Sequence, residues 1–327
     1  MKREYGGLHM SEKKSILVAG GAGFIGSHLC ERLLSEGNKV ICIDNLSSGC
    51  KDNIENIKSK DFKFIKKDIV ELNPSEIKEK VDEIYHLASR ASPVHFEKFP
   101  IHIMLTNSYG TKNLLDLAYE KGAVILFTST SEVYGEPLEH PQRETYRGNV
   151  STTGIRSCYD ESKRFGEALL AAYSREKGLE TRIARIFNTY GPRMDCGDGR
   201  VVPNFITQAL TGKAITIYGN GEQTRSMCYV SDLVEGLYKL MNSSVKEPVN
   251  LGNPHEITIL ELANKIISLT KSNSKIEYHP LPKDDPTRRR PDISRAKEYL
   301  GWEPKVNLEE GLTHTIEYFS SKLKVKE

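Results

Sequence analysis

The sequence predicts an α/β fold: a doubly wound parallel sheet followed by a smaller C-terminal domain. Three observations carry the prediction. Through residue 188, short apolar runs alternate with amphipathic stretches of helical length. A glycine-rich turn joins the first run to the first such stretch. After Asn188 the chain turns to loops rich in glycine, proline and charge. Strands separated by helices pair in parallel and need cover on both faces.

In order, "SILVAG" reads as a buried strand, and "FIGSHLCERLLSEG" as a helix. Ile25, Leu29 and Leu33 share one face of that helix, and Gly37 ends it. "KVICID", "FKFIKKDI" and "EIYHLAS" are the next strands, and "TNSYGTKNLLDLAYEKG" is a helix stopped by Gly122. "AVILFTST" is a strand, "CYDESKRFGEALLAAYSREKG" a long amphipathic helix and "TRIARIFN" a strand. "TYGPRMDCGDGRVVPN" and "KDDPTRRRPD" read as loops. The expected division is 11–188, rejoined by about 226–252, and 189–327 for the smaller domain. No internal repeat or low-complexity tract interrupts it.

Composition excludes several classes of function. Lys plus Arg is 46 against 44 for Asp plus Glu, a net charge of +2. Nothing in that balance points to nucleic acid or a membrane surface. No apolar run approaches the roughly 18 residues of a spanning helix. The opening "MKREYGGLHMSEKKS" lacks the apolar core of a signal peptide, and Met10 is an alternative start. The six cysteines show no Cys-x-x-Cys spacing, and no histidine pair has zinc-ligand spacing. Free thiols, no metal and a cytoplasmic setting are expected.

"GGAGFIG" places Gly20, Gly23 and Gly26 between the first strand and the first helix. Glycine permits close backbone approach to a pyrophosphate, and the helix N-terminus offers unpaired N–H groups. Asp44 ends the second strand, 21 residues after Gly23. A carboxylate there accepts from a ribose 2′-hydroxyl and repels a 2′-phosphate, so NAD is favoured over NADP. Asp68 stands at another strand end, equally suited to an adenine amino group or to an ordinary surface role.

"CYDESK" sets Tyr159 and Lys163 four residues apart on one helical face. A tyrosine is a poor base at neutral pH, its pKa being about 10. A neighbouring ammonium and a cationic nicotinamide favour the phenolate, which can then take a proton from a sugar hydroxyl as hydride leaves the same carbon. In "TSTSEVYG", strand residues give way to hydroxyls and one carboxylate, Glu132. As isolated residues, Arg225 and Arg289 are ordinary solvated arginines; a diphosphate dianion would need such planar partners.

Together, "HLASRASP", "STSEVYG", "CYDESKR", "ARIFNTYGPRM", "DGRVVPNFI", "YVSDLVEGL", "NLGNP", "RRRPDI" and "LGWEP" resemble the extended short-chain dehydrogenase/reductase family. The resemblance runs from about Ser15 to Tyr318 and is closest to the UDP-glucuronate decarboxylases, or UDP-xylose synthases. It implies a Rossmann-like NAD domain, a nucleotide-sugar domain, UDP-glucuronate as substrate and UDP-xylose and carbon dioxide as products. NAD would be recycled within each turnover.

The resemblance also implies roles. Phe24, Ile25, Asn45, Ser48, Gly49, Ile69, Leu87, Ala88, Ser89 and Thr128 would border the cofactor, beside Tyr159 and Lys163. Thr130 and Ser131 would meet the reacting hydroxyl or enolate oxygen, and Arg156 the glucuronate carboxylate. Asn188, Val202, Tyr218 and Arg225 would hold the uridine diphosphate. Arg289 would act beside the enolate; a guanidinium stays charged in proteins, so its role is electrostatic. Glu132 would relay a proton or repel the substrate carboxylate.

Two departures stand out: Arg90 where many members have proline, and "STTGIR" where many read Asn-Pro-Ile-Gly-Pro-Arg. Neither removes a catalytic group. A 4,6-dehydratase shares the Ser-Thr-Ser-Glu run, but GDP-mannose dehydratases generally prefer NADP, which Asp44 opposes. A 4-epimerase usually lacks the carboxylate, and a non-catalytic NAD sensor has no need of the Tyr–Lys pair. A homodimer is expected, with Leu105, Leu114, Leu117, Phe165, Leu169 and Ala172 at a four-helix interface. The family's membrane anchor is not expected here.

Overall fold

The computed structural model describes residues 13–280 and 288–324. The tail with Met10 and the 281–287 part of the second charged loop lie outside them. The first half alternates β1 (Ser15–Ala19), α1 (Phe24–Ser35), β2 (Lys39–Asp44), α2 (Asp52–Glu55), β3 (Phe62–Lys66) and β4 (Glu83–His86). It continues with α3 (Pro100–Leu105), α4 (Thr111–Lys121), β5 (Val124–Thr130), α5 (Ser157–Lys177) and β6 (Thr181–Ile186).

The second half holds β7 (Thr189–Tyr190), α6 (Val201–Leu210), β8 (Ile215–Tyr218), β9 (Thr224–Ser226), β10 (Cys228–Tyr229), α7 (Val230–Met241) and β11 (Val249–Leu251). It ends with β12 (Glu256–Thr258), α8 (Ile259–Thr270), β13 (Ile276–His279), α9 (Ser294–Leu300) and α10 (Leu308–Lys324).

Seven strands form one parallel sheet in the order β11-β6-β5-β4-β1-β2-β3. The order reverses at β1, which lies between β2 and β4, so two loops part there and leave a crevice at the strand ends. One apolar layer joins α1 and α7 to the sheet through Leu29, Leu33, Leu233 and Leu237. The opposite layer joins α4 and α5 through Leu114, Leu117 and Leu170. A third core, with Phe205, Ile217, Leu262 and Phe319, ties α6, β8, α8 and α10 together over the crevice.

The sequence places a helix start near Thr106, whereas the helical run begins at Pro100, the first-turn position where a missing N–H costs nothing. A π-helical turn, Thr106–Gly110, joins α3 to α4. It surrounds Asn107, which is fully buried and donates to the Ser162 hydroxyl on α5 at 2.9 Å. Glu167 of α5 takes Arg185 of β6 through both oxygens, at 2.9 and 2.7 Å, and the Ser129 hydroxyl of β5 at 2.5 Å. A half-buried fork of this kind holds three elements in one register beneath the crevice.

Candidate active site

The crevice opens into a cleft of about 1150 Å³ at the C-terminal ends of the sheet strands. At its floor, Gly20 has φ +82°, and a Cβ there would meet the Ala88 backbone nitrogen at 2.7 Å. A Cβ on Gly26 would stand 2.1 Å from the Gly20 carbonyl oxygen. Only glycine allows this packing of turn on helix. The N-cap of α1 is Gly23, with no side-chain cap, so backbone N–H groups are left to face the cleft. The cradle fits a dinucleotide pyrophosphate.

Gly20, Gly23, Phe24, Ile25, Gly26, Ser48, Gly49, Leu87, Ser89 and Thr128 line this part of the cleft. Asp44, Asn45, Asp68, Ile69, Ala88 and Arg90 line a side arm. Asp44 is buried and accepts the Ala22 and Leu46 N–H groups at 3.0 and 2.8 Å; burial still holds its pKa above the usual range. Asp68 caps a short 3-10 turn through Val70 N–H and takes Asn45 and His102 at 2.6 and 3.0 Å. Arg90 donates to the Ser47 carbonyl at 2.8 Å and lies 4.1 Å from the Phe99 ring centre. It thereby bridges the two loops that border the side arm.

Tyr159 and Lys163 follow one another on α5, both buried. The Tyr159 ring stacks on Phe96 at 5.2 Å. Burial drives the phenol pKa upward; a hydrogen bond to Thr130 and the Arg200 charge pull it down. Lys163 Nζ donates to the Thr128 carbonyl at 2.8 Å and lies 5.8 Å from the Tyr159 ring centre. Burial lowers its pKa to about 7. Thr130 and Arg200 supply the downward pull on Tyr159, and burial outweighs it. Arg200, which lies within the "DGRVVPNFI" segment but was not singled out there, forks onto Asp198 at 2.5 and 2.7 Å and lines the cleft.

Glu132 is the second residue of a 3-10 turn, Ser131–Tyr134, after β5, and its N–H donates to the hydroxyl of the N-cap Thr130 at 3.2 Å. Its Oε2 accepts from Arg156 at 2.6 Å and from Arg289 at 3.2 Å. Burial raises the Glu132 pKa, yet the Arg289 and Arg156 charges outweigh it and bring the value to about 2. Arg289 is not a solvated side chain: it is 1% exposed and donates to the Ser131 and Gly135 carbonyls at 3.0 and 2.9 Å. Its burial follows from the turn it staples, which sequence spacing cannot reveal.

Thr130, Ser131, Glu132, Arg156, Tyr159, Lys163 and Arg289 thus share one wall region, and Asn188, Val202, Tyr218 and Arg225 line the cleft beyond it. Among the described residues, no cluster of side chains could hold a metal ion. The arrangement suits hydride removal from a sugar carbon, proton transfer at Tyr159 and charge control around a carboxylate.

A helix-borne Tyr–Lys pair beside a glycine-cradled helix N-terminus places the protein among the extended short-chain dehydrogenases/reductases. A family model described as GDP-mannose 4,6 dehydratase matches residues 17–315. UDP-glucuronic acid decarboxylase 1 of Danio rerio is 54% identical over 317 residues, covering 97% of this chain and 75% of its own. UDP-glucuronic acid decarboxylase 6 of Arabidopsis thaliana is 54% identical over 312 residues, covering 95% and 90%. The Bacillus cereus UDP-glucuronic acid 4-epimerase, solved with UDP-glucuronic acid and NAD, superposes with a TM-score of 0.87 at 28% identity, covering 94% of this chain and 99% of its own. The chain belongs to the extended short-chain dehydrogenase/reductase family and, within it, to the UDP-glucuronic acid decarboxylases.

The doubly paired Glu132 makes a testable demand on stability. Its folded pKa lies below the unfolded value, so its contribution is present above about pH 4.5 and is lost as pH falls through 2. Glu132→Gln should destabilise the protein by about 2–3 kcal/mol at pH 7. Urea melts should show that difference shrinking as pH falls below about 4.

Proposed function

We propose that the protein converts UDP-glucuronate to UDP-xylose and carbon dioxide through a UDP-4-keto intermediate. NAD, when bound in the Gly20–Gly26 cradle, would supply a hydride acceptor and donor at carbon 4, so no net redox change would occur. The observation that carries this reading over a dehydratase is the pair of guanidiniums on Glu132 Oε2, at 2.6 and 3.2 Å, in a chain 54% identical to a UDP-glucuronic acid decarboxylase. A base that removes a proton from carbon 5 works best with a pKa near the operating pH. Glu132, clamped by two guanidiniums at about 2, is a poor base. Decarboxylation needs none there, because the electrons for the carbanion come from the breaking bond to carbon dioxide.

In this reading Tyr159, bonded to Thr130, takes the proton from the carbon 4 hydroxyl. The ketone formed at carbon 4 stands β to the carboxylate on carbon 5. As the carbon–carbon bond breaks, its electron pair moves into an enolate at oxygen 4, where Thr130 and Ser131 donate and Arg289 supplies positive charge. Carbon 5 is then protonated, with Glu132 governing that proton through solvent. Tyr159 finally returns its proton to oxygen 4. Arg156 meets the substrate carboxylate, Lys163 holds the nicotinamide ribose, and Asn188, Val202, Tyr218 and Arg225 hold the uridine diphosphate. Phe24, Ile25, Asp44 and the side-arm residues hold the rest of the dinucleotide.

The test is incubation with UDP-glucuronate and NAD, read by carbon dioxide release and product mass. Loss of 44 mass units with no net NADH supports the reading; loss of 18 units would mean dehydration, and unchanged mass epimerisation. Tyr159→Phe should lower turnover by at least about 100-fold while NAD binding and the thermal midpoint persist. Wild-type rates in that variant would contradict the role of Tyr159.

A homodimer is also proposed, on a corrected face. Leu114 and Leu117 point into the sheet layer and are fully buried, so they serve the core. Ile101, Met104, Tyr109 and Phe165 are instead exposed on α3, the π turn and α5. Exposed apolar side chains on neighbouring elements favour association. A reducing, cytoplasmic setting accords with six cysteines that form no disulfide. Among the described residues no helix is long and apolar enough to cross a membrane. Light scattering should give twice the chain mass at micromolar concentration, and Ile101→Glu with Phe165→Glu should give the single mass. A monomeric wild type would refute the dimer.

A further inference from the structure

Two segments border the side arm of the cleft. One is the β2–α2 connection, where Ser47, Ser48 and Gly49 line the side arm and the main cleft alike. The other follows β4, where Leu87 and Ser89 do the same. Gly20 and Gly23 of the cradle also line both spaces, so a dinucleotide held there would have both segments as neighbours. The first segment is strained: Leu46 has φ +61°, a left-handed conformation that costs free energy for any residue with a Cβ. Its ends are tied down, with Leu46 N–H on Asp44 Oδ1 at 2.8 Å and Cys50 N–H on the Ala22 carbonyl at 3.0 Å. Between them, Ser47 N–H donates to Asn45 Oδ1 at 2.9 Å, a bond within the segment itself.

Arg90 supplies the tie across the arm. Its Nη1 donates to the Ser47 carbonyl at 2.8 Å, a charge-assisted bond between segments 43 residues apart. The guanidinium is itself held in place. Its carbon lies 4.1 Å from the ring centre of Phe99, within cation–π range. Asp68, which lines the same arm, favours its charge. Phe99 is the N-cap of α3, so this one side chain joins three segments of the chain. Its Nε is enclosed without a hydrogen-bond partner among the described residues. The bond to Ser47, the ring and the Asp68 charge offset that cost.

We propose that Arg90 is a positioning residue that straps the β2–α2 segment across the dinucleotide site and thereby slows cofactor exchange. The strap fastens protein to protein, and it has to open both for entry and for exit. A contact of equal strength in the filled and the empty site shifts no binding equilibrium. Arg90 therefore sets the rates of exchange and leaves the affinity unchanged. Resting on the decarboxylase reading above, slow exchange has a use. The hydride taken from carbon 4 has to return to the same sugar, and loss of the reduced nicotinamide in mid-cycle leaves a UDP-4-keto pentose.

The experiment loads the wild type and Arg90→Met with NADH, chases with excess NAD and follows the loss of bound-nicotinamide fluorescence. A titration gives the NADH Kd of each. Met keeps an unbranched apolar stem against Phe99 and cannot donate to Ser47. Expected is release about tenfold faster or more in Arg90→Met, with a Kd within about threefold of the wild type. If Arg90→Met does not fold, as judged by circular dichroism, Phe99→Leu removes the ring beside the guanidinium and should speed release in the same direction. Unchanged release in a folded variant overturns the proposal. So does a Kd that rises in step with the release rate, which would mean that Arg90 touches the dinucleotide directly. With UDP-glucuronate, mass analysis should find UDP-4-keto pentose and free NADH accumulating in the variant. A variant that exchanges faster yet yields UDP-xylose alone overturns the use assigned to the strap. A wild type that releases no carbon dioxide from UDP-glucuronate removes the decarboxylase reading instead, and leaves the exchange measurement to judge the strap by itself.

Discussion

Glu132 can be ionised inside this protein only because two guanidiniums reach it from far apart in the sequence. Arg156 comes from the start of α5, and Arg289 from the segment that precedes α9. A buried carboxylate with one partner removed is an uncompensated charge, and such losses are costly. The turn after β5, the N-terminal end of α5 and the C-terminal segment must therefore close on one another together. Arg289 extends the constraint by donating to the Ser131 and Gly135 carbonyls, which fixes the turn that carries Glu132. The fork of Arg185 on Glu167 does the same one layer below, where it fixes Ser129.

The same constraint sorts the chemistry. Two carboxyls and two guanidiniums in a dry pocket cannot all carry charge at equal cost. Glu132 takes the hydrogen bonds and loses basicity, while burial and the Glu132 charge push the Asp160 carboxyl upward. A site built this way has no ready base for carbon 5. Beside it, Tyr159 faces Thr130 and Arg200, and Lys163 is anchored on the Thr128 carbonyl. The proton-transfer group and the clamped Glu132 carboxylate are thus adjacent and separately controlled.

Much of the frame was legible because it is local. Alternating apolar runs mark the sheet, glycine spacing marks the cradle at Gly20 and Gly26, and a four-residue interval marks Tyr159 and Lys163. What was not legible depends on contacts across the chain. A π turn at Thr106–Gly110 has no compositional signal, and the helical run before it, from Pro100, was not read from the sequence. Leu114 and Leu117 match either a core or an interface pattern, and only the packing shows that they face the sheet. Arg289 carries the same letter whether solvated or buried. Asp160 lies within the catalytic motif, yet the burial and the Glu132 charge that raise its pKa come from contacts across the chain.

The central claim is that Glu132 serves the steps after oxidation rather than the oxidation itself. Glu132→Gln keeps the size of the side chain and one acceptor but removes its charge. Stopped-flow mixing of this variant, loaded with NAD, with UDP-glucuronate would follow reduced-nicotinamide absorbance against carbon dioxide release. The account predicts that the reduced signal accumulates while carbon dioxide release slows. Parallel loss of both signals, with no accumulation, would contradict it.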